Sequence, residues 1–184
     1  MPNQPRATKV LISLVISMTI GAIVLMALDS KSISGGAFSL VSYSALGPIK
    51  QAVVFRRNAT AQRWERIEVF YSKTSGGNLE QLSSLSGLVG PEDINFHFLI
   101  CNGLGGIDGQ VFTTEKWLRQ WSSLPDGSWD GTKRTIRICV IASGTSNPPT
   151  GSQLTRTAEL VEMLGRKFHI IDSKNILYPA DWQL

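Results

Sequence analysis

Four side chains in this sequence are of the types that hold metal ions or attack carbonyl carbons: His97, His169, Cys101 and Cys139. A metal site needs several His, Cys or carboxylate donors converging on one ion. Neither histidine belongs to an H-x-x-x-H or H-x-x-E pattern that would place two donors on one helix face. His97 stands between Phe96 and Phe98 in an apolar run, and His169 follows a helix-like stretch, so both read as structural. Cys101 and Cys139 also sit in apolar runs, where burial raises a thiol pKa and removes the nucleophilic thiolate. An exported domain permits a disulfide between them, and two free thiols acting as small apolar side chains are the alternative. For acyl transfer there is no G-x-S-x-G, and no pair of carboxylates stands out. Gly103, Gly105, Gly106 and Gly109 have the spacing G-x-G-x-x-D. The third glycine of a dinucleotide loop is missing, and a strand-like run follows instead of a helix whose N-terminus could hold a phosphate. A glycine-rich hairpin is the reading.

The elements that carry these residues follow from local pattern. Gln51–Arg57 and Trp64–Ser72 read as strands, the second with Ile67, Val69 and Tyr71 alternating against Glu68 and Phe70. Asn78 can cap a short helix over Leu79–Leu88. Ile94–Cys101 is a further strand, and Gln110–Thr113 pairs back on it as a hairpin after the turn dipeptides Asn102-Gly103 and Asp108-Gly109. Thr114–Trp121 suits a short helix. Arg134–Ser143 is the most apolar strand and is expected in the middle of the sheet. Thr150 and Gln153 form a capping box for the best helix, with Leu154, Ala158, Val161, Leu164 and Phe168 on one stripe. Asn175–Tyr178 is a last short strand. Strands interspersed with helices predict an α/β fold with a mixed central sheet flanked by helices.

Ahead of this domain, Val10–Leu28 (VLISLVISMTIGAIVLMAL) carries no charge. As a helix it would reach about 28 Å, close to the hydrocarbon thickness of a bilayer. The expectation is therefore one N-terminal transmembrane helix. Arg6 and Lys9 precede it, which keeps residues 1–9 cytoplasmic and places the domain on the outer, periplasmic side of a single-pass protein. The competing reading is a cleavable signal segment, which would make the protein secreted. Residues 29–50 are Ser/Gly-rich and read as a linker, with the folded domain over residues 51–184. Apart from Arg6 and Lys9 the basic and acidic residues are nearly balanced, and no basic cluster alternates with exposed aromatics. Nucleic acid is excluded as a partner on that ground.

Taken in order, several segments resemble the zinc-dependent N-acetylmuramoyl-L-alanine amidase and peptidoglycan recognition protein family, the fold of the amidase-type phage lysozyme. They are Trp64–Ser72, Phe96–Ile100 with Asn102-Gly103, Asp108-Gly109, Lys116-Trp117 with Gln120, Thr135–Val140, and the helix beginning Pro149-Thr150 with Gln153-Leu154. The resemblance spans roughly residues 62–181 and implies a groove for a glycan–peptide strand. In active members it also implies a zinc ion that polarises the amide carbonyl while a bound water attacks.

The residues then part from the family. Where a His-His-Ser pattern supplies the first zinc ligand, this chain has Phe70-Tyr71-Ser72. Between the Trp117 helix and the Thr135 strand, Ser122–Lys133 contains no histidine, and near the end only Asp181 is left as an oxygen donor. His97 matches a family histidine that is not a ligand. The expectation is a membrane-anchored amidase-like domain without zinc, catalytic residues or cofactor, which binds peptidoglycan, muropeptides or an envelope partner. Tyr71, His97 and Trp117 are the candidate groove walls. Two other readings stand beside it: an active amidase with a rebuilt zinc site, and an envelope scaffold with no glycan ligand. Oligomeric state is open.

Overall fold

The computed structural model describes residues 14–20, 47–56, 64–88, 90, 93–123 and 133–182. The chain divides into two compact units, Met1–Gly35 and Gly36–Leu184. In the first, residues 14–20 are helical, with Leu14, Val15, Ile16, Met18 and Ile20 all exposed. The rest of the expected membrane segment, residues 10–13 and 21–28, and the bulk of the 29–50 linker lie outside the described residues. Among the described residues no helix is long and apolar enough to cross a membrane.

The second unit is a mixed α/β domain. Its elements in chain order are α1 (Ile49–Ala52), β1 (Arg66–Tyr71), α2 (Leu79–Leu85), β2 (Phe98–Ile100), β3 (Val111–Thr113), α3 (Glu115–Leu118), β4 (Thr135–Val140), α4 (Gly151–Phe168), a 3-10 turn (Ser173–Asn175) and β5 (Ile176–Leu177). The five strands lie in the order β3-β2-β4-β1-β5. β4 pairs in parallel with both β1 (Ile67 opposite Ile136) and β2 (Leu99 opposite Cys139); β1 pairs in parallel with β5, and β3 alone is antiparallel. All six β4 residues are buried, as expected of a central parallel strand covered on both faces.

Strand alternation builds a core on each face. Ile67, Val69, Phe98, Ile100, Ile136, Ile138 and Val140 pack with Leu160, Val161 and Leu164 of α4. On the opposite face Leu99, Cys101, Cys139 and Ile141 meet Leu82 of α2 together with Ile94 and Phe96. Both long-range helices start from full capping boxes, Asn78 with Gln81 and Thr150 with Gln153, which satisfy orphan N–H groups at each N-terminus.

Three elements differ from the sequence expectation. The strand expected over Gln51–Arg57 does not form in its described residues, 51–56: α1 occupies Ile49–Ala52, where Ile49 and Val53, four positions apart, both bury, and the Thr113 hydroxyl donates to the Ala52 carbonyl at 3.2 Å. α1 thus covers the edge that β3 leaves open. β2 is confined to Phe98–Ile100, because the Asn95 carbonyl accepts from the Arg137 guanidinium instead of a ladder N–H. Finally, the buried face of α4 is Gln153, Arg156, Thr157, Leu160, Val161, Leu164 and Gly165, while Ala158 is exposed and Leu154 and Phe168 are only half-buried. Polar residues occupy this face because their groups are satisfied: the Gln153 amide donates to the carbonyls of Ile100 (3.0 Å) and Ile141 (3.1 Å).

Candidate functional site

Chain connections choose the place where a ligand can enter. From β1 the chain crosses to β2, on the far side of β4; from β4 it crosses through α4 to β5, on the far side of β1. The connections therefore diverge at the carboxyl ends of β1 and β4, the position where open α/β sheets form their crevice. Here the parallel ladder runs on past the strands, with the Ser72 N–H donating to the Val140 carbonyl and the Lys73 N–H to that of Ala142, both at 2.9 Å. Gly144 then turns the chain with φ +73° and bridges to Asn147.

Into this crevice comes the segment after β5. It is closed by a turn in which the Trp182 N–H donates to the Pro179 carbonyl at 3.0 Å. The Trp182 indole lies near-parallel to two phenol rings, Tyr71 at 5.9 Å and 29° and Tyr178 at 5.6 Å and 27° between centroids. Asp181 is hydrogen-bonded to the Tyr71 hydroxyl; burial first, then the carboxylate charge and this bond, hold the Tyr71 phenol above its ordinary pKa. A side chain at Gly144 would place its Cβ 2.8 Å from Asp181 Oδ2 and 3.7 Å from the Tyr71 ring, so the close seat of Asp181 requires glycine there. Two donors in this region, Asn147 Nδ2 and Trp182 Nε1, are buried without a hydrogen-bond partner.

On the same end of the sheet, the loops after β1 and β2 touch so closely that a Cβ on Gly105 would lie 2.2 Å from the Gly77 carbonyl oxygen. Beside them opens a cavity of about 560 Å³, lined by Ser75, Gly76, Gly77, Gln81, Leu85 and Leu104. Leu85 and Leu104 are largely exposed on its rim.

Of the three groove residues expected from sequence, only Tyr71 reaches this crevice. His97 and Trp117 have no exposed surface and so cannot line a groove, which corrects that expectation. Both belong to a packed aromatic group in which Trp64 meets the His97 ring edge-on at 4.8 Å and lies near-parallel to Trp117 at 6.2 Å. The Arg137 N–H donates to His97 Nδ1 at 2.9 Å, which leaves Nε2 to carry the proton and donate to the Trp121 carbonyl, also at 2.9 Å. Burial above all, then the nearby charges of Arg137 and Lys116, push its pKa down to about 4 against the opposing pull of that carbonyl.

Phe70 turns to the other sheet face, with the Arg137 guanidinium 4.2 Å above its ring and the ion pair to Glu68 (2.7 Å) alongside. Among the described residues no three His, Cys, Asp or Glu side chains converge to hold a metal ion. Among the described residues the carboxylate at the crevice is Asp181, and it is already engaged by a phenol. His169 caps the far end of α4 in a left-handed conformation (φ 60°). Cys101 and Cys139 are free and buried; burial lifts Cys101 to about 11, helped by Asp108, and lifts Cys139 further still. Neither is a nucleophile at neutral pH.

Sequence reasoning missed Gly144, Asn147, Tyr178 and Trp182. The available signal was local, two aromatics four positions apart around Pro179 and Asp181, but their partner Tyr71 lies at the other end of the domain in sequence.

No protein-family model matches the chain, and no curated protein matches it. Among solved structures it is similar to the N-acetylmuramoyl-L-alanine amidase LysC from Clostridium intestinale URNW, at 17% identity over 68% of this chain and 78% of that one, with a TM-score of 0.47. The amidase AmiD from E. coli, solved with anhydro-N-acetylmuramic acid-L-Ala-D-gamma-Glu-L-Lys, is 17% identical over 67% of this chain and 51% of its own, with a TM-score of 0.43. A peptidoglycan recognition protein, PGRP-Hd from Alvinella pompejana, is 15% identical over 73% and 85%, with a TM-score of 0.41. Likeness at this level transfers neither activity nor residue roles.

Proposed function

We propose that this protein binds peptidoglycan fragments at the carboxyl ends of β1 and β4 without cleaving them and without zinc. The observation that carries the reading is the Tyr71 ring at the carboxyl end of β1, on which a planar group, the Trp182 indole, lies near-parallel. Aromatic faces pack against the C–H faces of sugar rings, so the seat that the indole occupies on Tyr71 is one that a sugar ring can take. The sequence resemblance to the amidase family points to the same class of ligand. The zinc-free part of the proposal rests on donor chemistry: one phenol-bound carboxylate lacks the two or three further ligands that a catalytic zinc needs.

In this proposal residues 10–28 hold the chain at a membrane with the domain outside the cytoplasm. The support is the apolar surface of residues 14–20 and the charges of Arg6 and Lys9 before them. Within that helix the Thr19 hydroxyl donates to the Val15 and Ile16 carbonyls (3.1 and 2.9 Å), so this polar group needs no water.

The test is cosedimentation of the full chain, in mild detergent, with purified sacculi. Retention that free muropeptides compete away, with no peptide released whether or not zinc is supplied, is the expected outcome. Failure to sediment, or peptide release abolished by a chelator, overturns it.

A further inference from the structure

The segment after β5 does more than border the crevice. Residues 179–182 form a tight turn that lays Trp182 against Tyr71 and seats Asp181 over Gly144. Three separate features fasten it there. The ring contact covers one face of Tyr71, the Asp181 carboxylate accepts the Tyr71 hydroxyl proton, and position 144 lacks the Cβ that would collide with Asp181 at 2.8 Å. Tyr178 packs on the main core, as Trp182 also does, and forms the root of the turn. We propose that residues 179–182 are a latched strap that closes the β1/β4 crevice, so that a ligand reaching Tyr71 must first displace Trp182.

Two points favour a strap over a permanent part of the core. Its fastening is weak beside that of the sheet: one side-chain hydrogen bond, two ring contacts and packing at the margin of the core, on residues that are half-buried or exposed. Its seat is also imperfect. The Trp182 indole N–H and the Asn147 amide are buried without acceptors, so each has lost its hydration without gaining a bond in return. A closed state that leaves donors unpaired sits higher in free energy than one that pairs them. An entering group with carbonyl or hydroxyl acceptors, as in an N-acetylated sugar or a peptide, relieves that cost when the strap lifts. The physical logic is a population shift: a ligand that binds only the open state moves the equilibrium by its affinity for that state.

The proposal rests on the peptidoglycan reading for the identity of the ligand, but not for the closing motion, and the experiment separates the two. Hydrogen exchange of the full-length protein is compared with that of Asp181→Ala and Trp182→Ala, without ligand. With the latch removed, amides of residues 142–147 and 179–182 should exchange at least tenfold faster, while Ile136–Cys139 in the sheet centre stay unchanged. Unaltered exchange at 142–147 in both variants overturns the strap, as does acceleration spread through the whole sheet. In parallel, sacculus retention should rise several-fold in both variants, and a fall in retention overturns the proposal by making Trp182 part of the ligand's own contact. If no form of the protein sediments while exchange still changes at 142–147, the peptidoglycan reading fails and the strap stands.

Discussion

Two aromatic groups sit within this domain, and they differ in every respect except residue type. Trp64, His97, Phe98 and Trp117 pack ring to ring inside the core, with at most 2% of any of them exposed. Tyr71, Tyr178 and Trp182 stack at the end of the sheet, partly open to water, beside a charged carboxylate. In the first group the polar atoms of Trp64 and His97 are tied to the fold, while Trp117 Nε1 is buried without a partner. The Trp64 indole donates to Gln120 Oε1 at 2.8 Å, and both His97 nitrogens are committed to backbone groups. In the second, the hydrogen-bonding groups face each other or nothing at all.

The sharpest way to break this comparison is to truncate one member of the buried group. Trp117 contacts the rings of Phe55, Trp64, His97, Phe98 and Phe168, so Trp117→Ala should lower stability by about 3–5 kcal/mol, the range for large core aromatics. Urea unfolding followed by circular dichroism measures it. A loss below about 1 kcal/mol, the scale of an exposed site, would mean that the ring is not part of the core.

Acid sharpens the contrast next. His97 is held neutral in the fold, with a pKa lowered from 6.5 to about 4, so the unfolded chain takes up its proton first. Its contribution is complete above pH 6.5 and is lost as the pH falls through the window down to 4, amounting to about 3 kcal/mol at the acid end. The unfolding midpoint should drop across that window more steeply in the parent protein than in His97→Gln. Parallel curves would show that burial of the imidazole is not what the acid limb reports.

Much of the fold could be read before any coordinates, and the reason is locality. The capping boxes at Asn78 and Thr150, and the all-apolar β4 at the sheet centre, are written in residues a few positions apart. What could not be read depends on partners far away in sequence. The apolar run within Gln51–Arg57 gives no hint that α1 must cover β3, and nothing around Gln153 announces that two distant carbonyls will satisfy its amide. The candidate site suffered most. Tyr71 was visible at a strand end, but its partners Asp181 and Trp182 meet it only through the crossover that returns the chain to β5, whereas His97 and Trp117 looked like groove walls because residue type alone does not reveal burial.

The smallest expected effect lies at Tyr71 itself, and it separates the ring from its hydroxyl. Tyr71→Phe keeps the contact with Trp182 and removes only the hydrogen bond to Asp181, so stability at neutral pH should fall by about 0.5–1.5 kcal/mol. At alkaline pH the difference shrinks. A phenol whose folded pKa is raised contributes stability that is present below the unfolded value near 10 and is lost as the pH rises through it, because the unfolded chain ionises first. The parent protein should therefore lose stability above that pH from Tyr71 and from the likewise raised Tyr178, whereas the variant loses only the Tyr178 part. The two stability curves should approach each other as alkali is added. Curves that stay parallel would show that Tyr71 titrates as it does in water, leaving Asp181 without a hold on it and the second aromatic group no more than a solvated surface.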